Sequence, residues 1–319
     1  MSLTELTYLS ANGRSNIRAF RFTPLGKPRA IVQLLHGLGE HSRRYLHMIG
    51  AFQDAGFVVY AADRLGHGLT AAPSGVCLLG DPCTKGTEGW LDYVKDEKTL
   101  HDIAVSDYPD LPFFMFGHSW GSMIARIYSV LYGEDMKGLL LCGPASQMPT
   151  RDSFDLASLE AEIVAGRGAQ PCTPWALKLF SFRGERFPNS PYPNPWVARD
   201  PRLIEDVNSD PLSCAAYTAQ LIYDLIRQYD FISTPDWAEK IPTKFPVYLI
   251  GGDEDPYINY GEGLYHVANQ LARAGHRTKV RAYTGWRHEP FRELPIRDQV
   301  ENGLVEFIDQ VLNDNISPF

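Results

Sequence analysis

The chain has no run rich in lysine and arginine, and its formal net charge is −8 over 319 residues. Proteins that hold a nucleic-acid backbone need clustered positive charge, so the sequence argues against a nucleic-acid partner. No apolar stretch reaches about 18 residues, the length that a membrane-spanning helix needs, and residues 1–10 lack the basic and apolar parts of a secretory leader. We therefore expect a cytoplasmic protein without stable membrane insertion, for which transient contact with a membrane interface stays open.

Cysteine is scarce, and its spacing matches neither a disulfide framework nor a zinc site. The five cysteines are odd in number and none has C-x-x-C spacing: Cys77, Cys83, Cys142, Cys172 and Cys214. An odd count cannot pair completely within one chain, and no closely spaced set of Cys or His indicates a metal. We expect free thiols, as in a reducing compartment, and neither a metal nor a cofactor.

The order of apolar segments predicts an α/β fold. Residues 6–9 and 17–22 flank a turn signal and predict a β-hairpin. From residue 30 onward, short apolar runs alternate with segments of helical period, and the alternation resumes near residue 245. This order predicts a mostly parallel central sheet with helices on both faces. The last helix should pack on the sheet through one apolar face that carries Val300, Leu304, Phe307, Ile308, Val311 and Leu312.

The alternation stops in the middle of the chain, where Pro, Arg and aromatic residues dominate. We predict that residues 1–144 and 237–319 form the α/β core. Residues 145–236 should form a helical cap, or lid, over the edge of the sheet where open α/β sheets bind ligands.

Four apolar residues of the predicted cap are candidates for contact with a substrate. Trp175, Leu179 and Phe182 form a stripe, and Leu221 lies in a further predicted helix. Such a stripe can line a pocket or touch a membrane, and we favour the pocket. Other substrate contacts are not predicted by the sequence.

The pentapeptide Gly117-His118-Ser119-Trp120-Gly121 has the pattern G-x-S-x-G. An apolar run precedes it, and an amphipathic helical pattern follows it. A tight turn between a strand and a helix lifts a serine hydroxyl clear of the backbone, and the flanking glycines let both elements approach closely. The motif alone is common, but this context predicts that Ser119 is a nucleophile.

A serine nucleophile needs a base and an acid that orients the base. On this architecture they follow in the order Ser, then Asp or Glu, then His. Asp255 and His288 each follow a predicted strand near the C-terminus, so both should lie at the edge of the sheet that carries Ser119. We predict His288 as the base and Asp255 as the acid, with Asp253 as the alternative acid.

Backbone N–H groups are needed where negative charge develops on the substrate. Residues 36–39 end a predicted strand in a glycine-rich loop. We predict that the N–H groups of Leu38 and of Trp120, the residue after the serine, form this oxyanion site. Asp63-Arg64 and His67 stand in a second glycine-containing loop, and we interpret them as its scaffold.

Several motifs occur together in this chain, at residues 36–42, 44–45, 63–68, 117–121, 252–255 and 288–289. Together they resemble the monoacylglycerol lipase and lysophospholipase-like group of α/β-hydrolases, often labelled serine aminopeptidase S33, over about residues 30–312. The resemblance implies the α/β-hydrolase fold with a cap, a triad of Ser119, Asp255 and His288, and an oxyanion hole from Leu38 and Trp120. Trp120 departs from the smaller residues usual in the group, which would narrow the acyl pocket.

We expect a serine carboxylic-ester hydrolase that acts through an acyl-enzyme on small to medium acyl esters, monoacylglycerol or lysophospholipid-like. The ester would be its small-molecule partner, and no oligomeric state is predicted. Three alternatives use the same scaffold: a C–C bond hydrolase, a slow-turnover ligand sensor, and an aminopeptidase-type enzyme. The last would bind a free amine through cap carboxylates, for which the candidates are Glu160, Glu162, Glu185 and Glu205.

Overall fold

Eight strands form one sheet in the computed structural model, which describes residues 1–71, 78–146, 148–214 and 216–314. The strands are β1 Ser2–Leu9, β2 Asn16–Thr23, β3 Ala30–Leu35, β4 Phe57–Asp63, β5 Phe113–His118, β6 Met136–Cys142, β7 Val247–Gly252 and β8 Thr278–Tyr283. Their order in the sheet is β1-β2-β4-β3-β5-β6-β7-β8. β2 pairs antiparallel with β1 and β4, and the remaining pairs are parallel. The predicted hairpin and the mostly parallel sheet are confirmed.

Helices connect the parallel strands and fill the long segment between β6 and β7. Within the described residues they are α1 Leu46–Asp54, α2 Gly68–Ala71, α3 Asp92–Asp107, α4 Trp120–Tyr132, α5 Leu156–Val164, α6 Thr173–Leu179, α7 Pro201–Ser209, α8 Ala219–Ile232, α9 Glu262–Arg273 and α10 Arg297–Leu312. Helices α5 to α8 all lie between β6 and β7. We call residues 145–236 the insertion.

Two hydrophobic clusters cover the two faces of the sheet. Alternate residues of β3 belong to different clusters, because successive side chains of a strand point to opposite faces: Ile31 lies in the first and Val32 in the second. Helices α3, α4 and α9 contribute to the first cluster, while α1 and α10 contribute to the second. The predicted apolar face of the last helix is buried in the second cluster through Val300, Leu304, Phe307, Ile308 and Val311.

The candidate catalytic residues all follow the carboxyl ends of parallel strands. The loop that carries Leu38 follows β3, Ser119 follows β5, Asp255 comes after β7 and His288 comes after β8. Parallel strands end at one edge of the sheet, so segments far apart in sequence meet there. The fold therefore brings the four positions to one region.

Cysteine pairing differs from the expectation of free thiols. Cys83 is disulfide-bonded, so the expectation is wrong for this residue. Cys142, Cys172 and Cys214 are free, and Cys77 lies outside the described residues. An odd total leaves room for a bond, and spacing alone does not show which thiols the fold brings together.

Two further features concern membranes and metals. Over the described ranges, no helix combines the length and apolar character that crossing a bilayer requires. In the same ranges, no group of three or more His, Cys, Asp or Glu side chains is arranged to hold a metal ion.

Helix α8 attaches to the core through a buried carboxylate. Asp224 accepts hydrogen bonds from Thr84 Oγ1 at 2.7 Å and from Gln220 Nε2 at 2.8 Å. Tyr93 adds a longer contact of 3.4 Å through its hydroxyl. Asp224 is fully buried, and this burial raises its pKa to about 7.

Replacing Asp224 with asparagine should remove a pH-dependent cost of folding. The pKa of this aspartate is about 7 in the folded protein and about 3.9 in the unfolded chain. Its contribution to the free energy of unfolding is therefore largest below about pH 3.9, where the carboxyl is protonated in both states. That stability is lost as pH rises, by up to about 1.4 kcal/mol per pH unit until the folded pKa is passed. We expect the free energy of unfolding of Asp224→Asn, relative to that of the wild type, to rise between about pH 4 and about pH 7 and to stay level above that range.

Urea unfolding across this pH range measures the effect, and a second variant on the same helix controls it. Asp230 pairs with Arg151 and its side chain is 35% exposed, so Asp230→Asn should show the pH slope of the wild type. Equal slopes for the wild type and Asp224→Asn would contradict the prediction.

Candidate active site

Ser119 sits on a strained turn between β5 and α4. Its φ is 52° and its ψ is −119°, a left-handed conformation that non-glycine residues rarely adopt. The turn is tight: a Cβ added at Gly121 would lie 2.3 Å from the carbonyl oxygen of Leu35, and one at Gly117 would lie 2.6 Å from that of Gly121. Both positions therefore require glycine. The serine N–H donates to Cys142 O at 2.9 Å, which fixes the turn against β6.

His288 and Asp255 form a buried pair at the same edge of the sheet. Nδ1 of His288 lies 2.7 Å from Oδ2 of Asp255, and both residues are at least nine-tenths buried. Oδ1 of Asp255 accepts from the N–H of Tyr257 at 2.8 Å. Burial by itself would lower the pKa of His288, but the charge and hydrogen bond of Asp255 outweigh it and raise that pKa above its ordinary value.

Asp253, the alternative acid, has a different partner. Its Oδ1 accepts from the N–H of Gly285 at 2.6 Å, which ties the loop after β7 to the loop after β8. The structure thus places Asp255, two residues further along, against the imidazole of His288. The side chain of Asp253 instead accepts a hydrogen bond from the loop backbone.

The loop after β3 is held by an anionic side chain. Glu40 Oε1 accepts from the N–H of Gly37 at 2.5 Å and from the hydroxyl of Tyr45 at 2.6 Å. His118 Nδ1 lies 3.2 Å from the same oxygen. These contacts fix the backbone that leads to Leu38, one of the two predicted oxyanion donors.

Ser119, His288, Leu38 and Trp120 all line one cavity of about 310 Å³. Its lining includes apolar side chains from α4 and the insertion, among them Met123, Met148, Leu179, Phe180, Phe182 and Leu225. It also includes polar side chains, among them Glu40, Arg44, Asn194, Asn208, Asp210 and Glu289. A cavity of this kind accepts an apolar chain with a polar end, and few precisely placed polar groups are typical of small-molecule sites.

The family model for serine aminopeptidases, S33, matches residues 26–295. The chain belongs to this family. A solved structure of a highly thermostable carboxyl esterase from Bacillus coagulans in complex with glycerol is 42% identical, with a TM-score of 0.92 and coverage of 98% of this chain and 99% of that chain. A lipase solved in an open form is 37% identical, with a TM-score of 0.90 and coverage of 98% and 100%. A monoacylglycerol lipase of Mycolicibacterium smegmatis is 29% identical over 279 residues, which is 85% of each chain.

Membership of the S33 family and these likenesses establish the α/β-hydrolase fold that the sequence predicts. The structures align over nearly the full length, so the insertion as well as the sheet has a counterpart in them. The resemblance inferred from motifs is therefore confirmed.

The four candidate residues of the insertion divide into two pairs. Leu179 and Phe182 line the cavity. Trp175 instead packs against Phe154 with ring centres 5.7 Å apart, and Leu221 is buried in the hydrophobic core. Neither belongs to the described lining. One turn further along α8, Leu225 reaches the cavity.

Aromatic rings that the sequence argument did not select surround His288 in this S33-family site. The rings of Tyr257, Trp196 and His118 lie 4.8, 5.1 and 4.7 Å from the imidazole centre. His118 Nε2 lies 3.2 Å from the carbonyl oxygen of His288. Tyr257 follows Asp255 closely, which is the one sequence signal for it. Trp196 belongs to the insertion, and its position depends on tertiary packing.

Arg44 is a second residue that the sequence argument left without a role. Its side chain is 3% exposed and reaches three carboxylates: Glu40 at 3.0 Å, Glu289 at 3.2 Å and Asp206 on α7 at 3.4 Å. It therefore joins the loop after β3, the residue after His288, and the insertion. The i,i+4 spacing of Glu40 and Arg44 is the signal that could have identified it.

Proposed function

We propose that the chain hydrolyses carboxylic esters through an acyl-enzyme on Ser119. His288 acts as the general base, Asp255 orients it, and the N–H groups of Leu38 and Trp120 receive the oxyanion. The observation that supports this proposal is that a strained Ser119 and a carboxylate-paired His288 both line one cavity.

The chemistry runs in two steps of acyl transfer. Nε2 of His288 takes the hydroxyl proton while Oγ of Ser119 attacks the ester carbonyl, and the resulting oxyanion is held by the two backbone donors. The intermediate collapses, the C–O bond to the alcohol breaks, and the imidazolium protonates the leaving alcohol. Water, deprotonated by the same imidazole, then attacks the acyl-enzyme and releases the acid and the free serine.

We propose small to medium acyl esters as substrates, monoacylglycerol or lysophospholipid-like. The apolar lining suits an acyl chain, and the polar lining suits a hydroxyl-bearing alcohol. The relatives agree with this proposal, since they include a monoacylglycerol lipase and a carboxyl esterase in complex with glycerol.

We further propose that residues 145–236 are a cap on a core of residues 1–144 and 237–319. Leu179, Phe182 and Leu225, all in this segment, line the same cavity as Ser119. A cap that supplies the wall would set substrate choice without taking part in bond making.

An aminopeptidase activity has less support from the charges in the cavity. A free amine needs a carboxylate without a partner, but Glu40 and Glu289 are paired with Arg44, and Asp210 lies 2.8 Å from Nε2 of His41. The candidates that the sequence offered are absent from the described lining: Glu160, Glu162, Glu185 and Glu205. The relatives' names likewise favour ester hydrolysis over C–C bond hydrolysis or sensing.

A substrate panel tests the proposal. We expect turnover of p-nitrophenyl esters from acetate to laurate, with the highest kcat/KM at short to medium chains, and negligible turnover of aminoacyl p-nitroanilides. A fluorophosphonate should label one site per chain, identified by peptide mapping as Ser119. Preferred cleavage of the anilides, or labelling with no ester turnover, would overturn the proposal in favour of a peptidase or a sensor.

The cytoplasm stays our proposal for the location of the chain. It is supported by the free thiols of Cys142, Cys172 and Cys214, because thiols stay reduced in a reducing compartment. The disulfide at Cys83 argues against a cytoplasmic location, because disulfides are more frequent in oxidising compartments. Cell fractionation decides between them.

A further inference from the structure

Arg64 lies buried beneath both segments that supply the proposed oxyanion donors. It directly follows β4 and is 1% exposed. Its Nη2 donates to the carbonyl oxygen of His36 and reaches that of Gly37 at 3.5 Å. Its guanidinium carbon lies 4.5 Å from the ring centre of Trp120. One side chain therefore contacts the glycine-rich loop and the residue that follows the nucleophile.

The geometry of the peptide group links these contacts to the oxyanion site. The carbonyl of Gly37 and the N–H of Leu38 belong to one planar trans peptide, so the direction of the carbonyl fixes the opposite direction of the N–H. A cationic donor on the carbonyl also polarises the peptide and makes its N–H a stronger donor. The preceding peptide is held at both ends, because His36 O accepts from Arg64 and the N–H of Gly37 donates to Glu40.

Arg64 also sets which nitrogen of His36 carries the proton. The backbone N–H of Arg64 donates to Nε2 of His36 at 3.2 Å, so Nδ1 is protonated in the neutral ring. Burial, and then the charge of Arg64, hold the pKa of His36 well below its usual value and keep the ring neutral. Nδ1 lies 2.7 Å from the Gly37 carbonyl oxygen and 3.1 Å from Arg64 Nη2. Because Nδ1 carries the proton, it donates to the carbonyl oxygen. The imidazole thus reinforces the Gly37–Leu38 peptide.

Stability alone does not account for a buried cation at this place. Arg64 Nη1 lies 3.6 Å from Glu97 Oε1, and Gln33 Nε2 donates to Glu97 Oε2 at 2.6 Å. Both members of the ion pair are 1% exposed. Burying two charges costs several kcal/mol, and apolar residues of similar volume often give equal or greater stability. The contacts with the oxyanion loop supply a reason for the charge to be here.

We propose that Arg64 is a positioning residue for ester hydrolysis: it holds the Gly37–Leu38 peptide and the Trp120 ring so that both N–H groups face the developing oxyanion. The inference rests on the proposed function. Arg64 is not part of the described cavity lining, so it acts through the residues that it holds.

The test removes the charge pair without leaving a lone buried ion. Arg64→Met with Glu97→Gln deletes both charges and keeps similar volumes, while Glu97→Gln alone keeps the donors of Arg64. Active sites are titrated with a fluorophosphonate, so that kcat refers to folded, reactive enzyme. We expect kcat of the double variant to fall roughly 10- to 100-fold and KM to change by less than about threefold. The loss in kcat is smaller than the roughly 10²- to 10³-fold loss that follows outright removal of an oxyanion donor. Glu97→Gln and Arg64→Lys should retain more activity than the double variant.

The inhibition constant of a trifluoromethyl ketone separates a role at the oxyanion site from a purely structural role, which would leave that constant unchanged. The ketone forms a hemiketal oxyanion on Ser119, so its inhibition constant should rise by the same factor by which kcat/KM falls. A titrated double variant with kcat within about threefold of the wild type, or with unchanged ketone affinity, would overturn the role of Arg64. Failure of the proposed function itself is separate, because the wild type would then show no ester turnover in the same assay.

Discussion

Replacing Ser119 with alanine is expected to lower kcat for p-nitrophenyl esters by about 10⁶ while the protein stays folded. The hydroxyl is the group that becomes acylated, and without it His288 and the oxyanion donors have no covalent chemistry to assist. The backbone at φ 52° is strained for serine and alanine alike, so the free energy of unfolding should change little. Steady-state kinetics and urea unfolding, on the same preparation, measure the two quantities.

Ser129, on α4, provides the matched control. Ser129 is buried, its hydroxyl donates to the carbonyl oxygen of Arg126 at 2.7 Å, and it is not part of the described cavity lining. Ser129→Ala should keep the fluorophosphonate reaction and ester turnover of the wild type, whereas Ser119→Ala should lose both. A folded Ser119→Ala protein that still turns over esters would refute the nucleophile assignment.

The sheet and its flanking helices could be predicted because their signals are local. Strand β3 is a short apolar run, and α10 repeats apolar residues at helical spacing. In each element the sequence pattern therefore indicates which residues are buried. The insertion is less regular. Its helical character was predictable, but Trp175 and Leu179 share one predicted stripe and only Leu179 lines the described cavity. Which helical positions face inward there depends on how α6 and α8 pack on distant elements.

The positions of Ser119, Asp255 and His288 could be predicted from topology, since each follows the carboxyl end of a strand. Which of two acids contacts His288 could not be predicted with the same certainty from topology. Asp253 and Asp255 lie two residues apart on one loop, and the loop conformation decides which one meets the imidazole. Contacts across the chain made that decision, with Asp253 bound to Gly285 in the loop after β8.

Arg64 illustrates a role that sequence patterns do not show. Its place in a glycine-containing loop predicts a scaffold role, and the contacts of Arg64 with His36, Gly37 and Trp120 show which groups it holds. These residues are separated by dozens of positions, so only the folded backbone reveals that one guanidinium contacts both sides of the oxyanion site.

Replacing Asp255 with asparagine is expected to lower kcat/KM by about 10⁴, because an amide cannot hold His288 in the tautomer that accepts the serine proton. Asp253→Asn is the control: asparagine retains a carbonyl oxygen that can accept from Gly285, so the loss should stay well below about tenfold. Equal losses in the two variants, or a larger loss for Asp253→Asn, would contradict the assignment of the acid.

The pH profile of kcat/KM carries a second, independent signature of Asp255. The base must be neutral in the free enzyme, so activity is lost as pH falls through the pKa of His288. In the wild type Asp255 overcomes the effect of burial and raises this pKa, which places the acid limb above the ordinary value of about 6.5. In Asp255→Asn the charge is gone and burial dominates, so the acid limb of the residual activity should move to lower pH. In Asp253→Asn it should stay where it is, because the carboxylate beside the imidazole is intact.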